Sequence, residues 1–278
     1  MVTESSQAPE LGTDRYKLLE PAGQGGIAVV WKALDQESQR YVAVKLMQPQ
    51  AVKLEAVQRL AQEATILAEL NHPAIVQLIA TGVADDESPF VVMEWVHGVT
   101  LRALLVERKM LPPHEMVKIM SQLAGGLTEA HSRGVIHRDL KPENVMLKLP
   151  ERLQVKIVDF GMAKILRGDA PYLTQGMKIC GTPQYMSPER ARGKAVAAAA
   201  DVYALAIIAY EILAGRRPFD AKGSMDVLMQ QVNDDPPPIE GVHSALQGAI
   251  FAALAKDPDE RPSADEFARR IKRAASRW

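Results

Sequence analysis

Eight consecutive residues, His137-Arg138-Asp139-Leu140-Lys141-Pro142-Glu143-Asn144, gather a carboxylate, an ammonium and an amide in one short stretch. The Asp139 carboxylate can accept the proton of an attacking hydroxyl. The Lys141 ammonium can neutralise charge on a phosphate in flight, and the Asn144 amide oxygen can hold a divalent metal. Together these parts can move a phosphoryl group onto an alcohol. A second carboxylate follows 15 positions after Asn144, in Asp159-Phe160-Gly161, at the end of the β-type run Val155-Lys156-Ile157-Val158. An aspartate at a strand end followed by glycine can turn toward a cleft. Mg²⁺ is held by few protein oxygens plus substrate phosphates, so Asn144 and Asp159 suffice as its ligands.

Groups suited to a nucleotide lie earlier. Gly23-Gln24-Gly25-Gly26-Ile27-Ala28 sits between two strand-like runs. Absent side chains there let the backbone approach phosphates, although a tight hairpin turn uses the same residues. In Val42-Ala43-Val44-Lys45, side chains at i and i+2 share a strand face, so Ala43 and Lys45 point the same way. A small residue beside a cation suits an adenine roof next to phosphates, which Val30 would complete. Glu63 follows Leu60 by three residues and precedes Leu67 by four, on or beside the inward face of a helix. An unpaired carboxylate there would be costly. A Lys45–Glu63 pair resolves that cost and aims Lys45 at the α- and β-phosphates.

The elements that must position these groups change character along the chain. Strand-like runs at 16–19, 29–31, 41–44, 75–79 and 90–93, with one helix ending at Asn71-His72-Pro73, make a small antiparallel unit. After Gly98 helical patterns dominate, at 100–108, 113–132, 195–214, 224–232, 243–255 and 264–275, interrupted by strands at 145–148 and 154–158. The reading is an α+β, bilobal fold: a small antiparallel β-sheet lobe plus one helix, then a larger mainly helical lobe. Its expected division is a disordered lead at 1–13, lobes at 14–96 and 97–278, and a hinge at Glu94–Gly98. At 278 residues the chain can bury roughly 75% of its unfolded surface. With 33 basic and 34 acidic residues its net charge is -1. That balance excludes a strong field for nucleic acid or anionic membranes. The single cysteine, Cys180, rules out an internal disulfide and fits a reducing compartment. The most apolar stretch, 195–215, is interrupted by Asp201 and Glu211 and reads as a buried helix rather than a membrane span.

Residues His137 to Asn144 resemble the catalytic loop of protein kinases in its Ser/Thr-specific form, and the resemblance extends from about Tyr16 to Arg270. The chain is similar to the Hanks-type, eukaryotic-like Ser/Thr kinases of bacteria. Gly181-Thr182-Pro183-Gln184-Tyr185-Met186-Ser187-Pro188-Glu189 is similar to the end of the family's activation segment, with Ser187 where alanine is usual. Ala28 stands where the glycine-rich loop has its third glycine. The resemblance implies ATP as phosphoryl donor with Mg²⁺, Mn²⁺ being an alternative, and protein Ser/Thr hydroxyls as acceptors. It implies Asp139 as base, Lys141 and Lys45 on the phosphates, and Gly23, Gly25 and Gly26 around them. Met93, Met146 and the backbones of Glu94 and Val96 would border the adenine. Glu189 would pair with Arg261, and Asp201 would hold the backbone around His137-Arg138. Thr182 and Lys141 imply Ser/Thr rather than Tyr as acceptor.

The same resemblance points to regulation. Arg138 next to Asp139 suggests control by phosphorylation of Thr174, the only Ser or Thr between Gly161 and Gly181. Autophosphorylation, and a homodimer for activation, would follow. Residues 1–14 lack the basic and apolar run of a targeting signal. The basic residues Arg269, Arg270, Lys272, Arg273 and Arg277 read as the charged outer face of the last helix. The expected location is the cytoplasm, or the cytosolic part of a longer membrane-anchored kinase, since many similar kinases continue through a basic linker to a membrane helix. Two rival readings are a binding scaffold with a kinase fold and a small-molecule phosphotransferase. The first would lack Lys45, Asp139 or Asp159. The second would lack the 181–189 segment and Arg261.

Overall fold

A computed structural model describes residues 9–25, 28–47, 67–148, 153–160 and 182–276. The chain divides into two compact units. One comprises the residues up to Asn71 with Val76–His97, the other His72–Ile75 with everything from Gly98 onward.

In the first unit, β1 (Tyr16–Gln24), β2 (Ala28–Asp35), β3 (Arg40–Met47), β4 (Leu78–Val83) and β5 (Pro89–Glu94) form one antiparallel sheet, in the order β1-β2-β3-β5-β4. β-Branched and aromatic residues give these runs their strand preference. The period-2 alternation then sorts the side chains by face. Val42, Val44 and Leu46 of β3 join Ala33, Phe90 and Val92 in an apolar core with Tyr16 and Leu11. Leu11 falls within the stretch 1–13 read above as a disordered lead, yet it is buried in this core. One apolar side chain among polar neighbours leaves no periodicity to read, but it still gains by burial. The expected strand at 75–79 begins only at Leu78. Ile75 instead makes a single parallel bridge to Ile157 in the second unit's own fold.

In the second unit, α1 (Leu101–Arg108) starts on an N-cap in which Thr100 Oγ1 accepts from Ala103 N at 3.0 Å. The long α2 (Pro113–Ser132) buries Met116, Ile119, Met120, Leu123 and Leu127 on one face. A small sheet of β6 (Val99–Thr100), β7 (Val145–Lys148) and β8 (Gln154–Ile157) follows the order β6-β7-β8. Gly98 admits this pairing, because a Cβ there would lie 2.1 Å from Leu147 O. The remaining helices are α3 (Pro188–Ala191), α4 (Ala198–Ala214), α5 (Ser224–Asn233), α6 (Ser244–Ala253) and α7 (Ala264–Ala275). α4 is the buried centre, closed by Gly215 in the left-handed region at φ 67°. It starts three residues later than the pattern predicts, and its N-cap, Ala197, makes no side-chain cap bond. Among the described residues no helix is long and apolar enough to cross a membrane.

At the β2–β3 turn Asp35 is buried and accepts from Arg15 Nε and Nη2, both at 3.1 Å, from Ser38 Oγ at 2.9 Å and from Glu37 N at 3.1 Å. The Arg15 guanidinium holds the Asp35 carboxyl down to about 2. A depressed carboxylate contributes stability that is complete above its unfolded pKa, about 4, and is lost as protons bind on the way down. Asp35→Asn is therefore expected to flatten the fall in unfolding free energy between pH 4 and pH 2, measured by urea denaturation at several pH values.

Candidate active site

The stretch around Asp139 is held from below by α4. Asp201, buried in that apolar helix, accepts from His137 N at 2.8 Å, Arg138 N at 2.9 Å and His131 Nε2 at 2.8 Å. Burial alone would push the Asp201 carboxyl up. The bonds from His131 and the main chain outweigh it and hold the group below the usual carboxylate range. Arg138 adopts φ 67°, an unusual region for a side-chain-bearing residue, and its carbonyl accepts from Arg190 Nη1. The turn delivers Asp139 to Lys141: Lys141 Nζ lies 2.7 Å from Asp139 Oδ2 and 3.2 Å from Thr182 Oγ1. One ammonium thus joins a carboxylate to a hydroxyl 41 residues further along the chain.

His137 and Asn144 tie this loop to the Asp159 segment. His137 Nδ1 accepts from Asp139 N at 3.3 Å, so Nε2 carries the proton and donates to Val158 O at 2.9 Å. The His137 ring also meets Phe160 edge-on at 4.8 Å. Val158 N donates to Asn144 O at 2.9 Å, which brings Asp159, next in the chain, alongside Asn144. Asp159 sits at φ 65°. Asn144 Nδ2 donates to Asp139 O at 2.8 Å, which fixes the amide and leaves Oδ1 as the acceptor end. An amide oxygen and a carboxylate are hard donors, the kind Mg²⁺ takes, so the residues present fit that ion. Met146 lies half-buried on β7, opposite Lys156.

The sheet of the first unit carries the other named residues on its second face. Val30 lies opposite Lys45, and Ala43 lies opposite Met93. Directly opposed residues of an antiparallel pair share a face. Val30, Ala43, Lys45 and Met93 therefore line one side, away from the Val42–Val44–Leu46 core. Glu94 is bound to Gln77, its N–H donating to Gln77 O at 3.0 Å and its carboxylate accepting from Gln77 N at 3.1 Å; Val96 is buried. Among the described residues, a Cβ built on Gly23 meets nothing within 4 Å, and one on Gly25 meets only Ala28 O at 3.6 Å. Packing among the described residues does not demand glycine at either position. Gly26, Glu63 and Thr174 lie outside the described residues.

The segment after Thr182 is anchored by a buried ion pair. Arg261 Nη1 and Nη2 donate to Glu189 Oε1 and Oε2 at 2.9 and 2.7 Å, and the same guanidinium serves the carbonyls of Ala255, Ala199 and Lys256. Burial pushes the Glu189 carboxyl up, but Arg261 more than offsets it and leaves the group lowered. A second charged cluster lies beside it, built on Arg102, to which the sequence alone assigns no role. Arg102 donates to Glu143 Oε1 and Glu211 Oε1, both at 2.8 Å, and to the Tyr185 hydroxyl, which itself donates to Glu211 Oε2 at 2.5 Å. Glu211 interrupts an apolar helix as Asp201 does, and that signal was available in the sequence. Arg190 and His131 carried no such mark.

The chain matches the protein kinase domain over residues 16–270, and it belongs to the protein kinase family. It is 38% identical over 257 residues to serine/threonine-protein kinase PknB of Mycobacterium tuberculosis, covering 90% of this chain and 41% of that protein. The chain thus spans about two fifths of the length of that curated relative. Its fold is similar to the crystal structure of the Mycobacterium tuberculosis PknI kinase domain, with TM-score 0.75, 27% identity, and coverage of 97% of this chain and 100% of that one. It is also similar to Rad53 1-466 in complex with AMP-PNP, with TM-score 0.76, 27% identity, and coverage of 91% and 64%.

Removing Arg261 would strand the Glu189 carboxylate and three carbonyls in the interior. Arg261→Ala is expected to destabilise the chain by about 3–5 kcal/mol, read from chemical denaturation.

Proposed function

We propose that the chain is an ATP-dependent protein kinase acting on serine and threonine hydroxyls. The observation that carries this reading is the Asp139–Lys141–Thr182 cluster, a base, a cation and a hydroxyl-bearing residue held within hydrogen-bonding distance. In the proposed reaction an acceptor oxygen forms a bond to the γ-phosphorus as the bond to the β,γ-bridging oxygen breaks. ADP leaves, and the hydroxyl proton passes to the Asp139 carboxylate. Lys141 stabilises charge on the transferred group, and Lys45 holds the α- and β-phosphates. Asn144 and Asp159 would hold Mg²⁺, which when bound neutralises phosphate charge. Val30, Ala43 and Met93, with the backbones of Glu94 and Val96, are assigned to the adenine, and Gly23 and Gly25 to the phosphates. The AMP-PNP carried by the similar Rad53 structure supports a nucleotide as ligand.

The sequence Lys141-Pro142-Glu143-Asn144 and the bond from Lys141 to Thr182 favour Ser and Thr as acceptors. The serine/threonine kinase name of the PknB relative agrees. A scaffold without catalysis fits poorly with a chain that keeps Lys45, Asp139, Asn144 and Asp159. Protein substrates are the partners the reaction needs, and the need for ATP favours a cytoplasmic location. Asp139→Asn is expected to lower phosphate transfer from Mg-ATP to myelin basic protein by about 10²–10⁴-fold. Incorporation that survives the substitution would remove Asp139 from the role of base.

Regulation is proposed to run through Thr174. A phosphate there brings about -1.5 to -2 charges, which Arg138 can pair. A homodimer in which one copy phosphorylates the other would supply it. Mapping after incubation with Mg-ATP should find phosphate on Thr174, and Thr174→Ala should lower activity. Equal activity of the variant would end this reading.

A further inference from the structure

Gln231, a polar residue with no exposed surface, reaches into the turn that follows Thr182. It belongs to α5, four residues after Val227 and three after Leu228, so it shares their buried face. Its Nε2 donates to Pro183 O at 3.3 Å and to Gln184 O at 2.9 Å, while Oε1 accepts from Tyr203 Oη at 2.5 Å. Two carbonyl partners require the amide nitrogen on their side, so the amide cannot be turned over. Burial pushes the Tyr203 hydroxyl up, so it remains a neutral donor. The main chain of Gln231 is pinned as well, its carbonyl accepting from Lys256 Nζ at 2.9 Å.

This effort is out of proportion to packing. A space-filling residue at that position would be apolar, because burying an amide costs free energy unless every bond is made. The beneficiary is a segment with little support of its own. Between Thr182 and Met186 the turn makes only two long internal bonds, Tyr185 N to Thr182 O at 3.3 Å and Met186 N to Pro183 O at 3.2 Å. Its Thr182 end meets Lys141 and, through it, Asp139.

We propose that Gln231 is a positioning residue for the acceptor: by holding the Pro183 and Gln184 carbonyls it seats Thr182 against Lys141 and Asp139. The proposal rests on the kinase reading above. Gln231 acts through the segment and touches neither nucleotide nor phosphate, so its loss shows in acceptor binding.

The test is steady-state kinetics on the purified chain, with myelin basic protein and ATP varied separately. Gln231→Met should raise KM for the acceptor about tenfold, the scale of a lost buried hydrogen bond, with KM for ATP unchanged. Gln231→Glu keeps an acceptor for Tyr203 but turns a carboxylate oxygen toward two carbonyls, so its rise should exceed that of Met. Tyr203→Phe, the mildest change, should move acceptor KM in the same direction by about threefold. It serves if the other variants fail to fold. Hydrogen exchange at the Tyr185 and Met186 amides should quicken in Gln231→Met. An active wild type whose variants keep acceptor KM, or lose only kcat, overturns the positioning role alone. A wild type without phosphate transfer overturns the kinase reading and this inference with it.

Discussion

The buried Asp201 carboxylate is the contact on which the second unit's chemistry depends. An ionised group inside an apolar helix is tolerated only when its oxygens are filled, and here two main-chain N–H groups and one imidazole fill them. The return for that burial is geometric. Holding the N–H of Arg138 keeps a bulky residue at φ 67°, where it would not stay unaided, and that turn presents Asp139 beside Lys141. Asn144 and His137 then fasten the same loop to the strand end that carries Asp159.

The segment from Thr182 to Glu189 shows the opposite strategy. It has little regular structure, and neighbours supply its rigidity: Arg261 on Glu189, Arg102 and Glu211 on Tyr185, Gln231 on two carbonyls. A segment fixed by side chains from several helices can be released by changing any of them. A segment fixed by its own ladder could not be released that way. Its anchors are charged or amide groups, so geometry rather than shape-filling sets its path.

Much of this was legible in the sequence. The helices at 113–132 and 264–275 coincide with their periodic patterns, since each has a clear start signal, Pro113 at the first helical turn and Ser263 as an N-cap whose Oγ accepts from Glu266 N. The start of α4 was not legible, because a run of alanines favours helix throughout and marks no boundary. Ile75 reads as a strand residue by composition but makes only one bridge, since pairing depends on a partner distant in sequence. At the site, residues inside motifs could be named, whereas Gln231, Arg190 and Arg102 gain meaning only from what lies across from them. Glu211 could have been read as Asp201 was, as an acid in an apolar helix that must have a partner.

The β2–β3–β5 register has a consequence for quality control. Lys45 alternates with Val44 and Leu46, so sliding β3 by one position would turn the cation into the apolar core and expose the valines. Mispaired chains would be unstable, with a cation among apolar side chains and valines in water. The cell's proteases, which clear open chains, would then remove the mispaired molecules, leaving a surviving pool enriched in chains of native register.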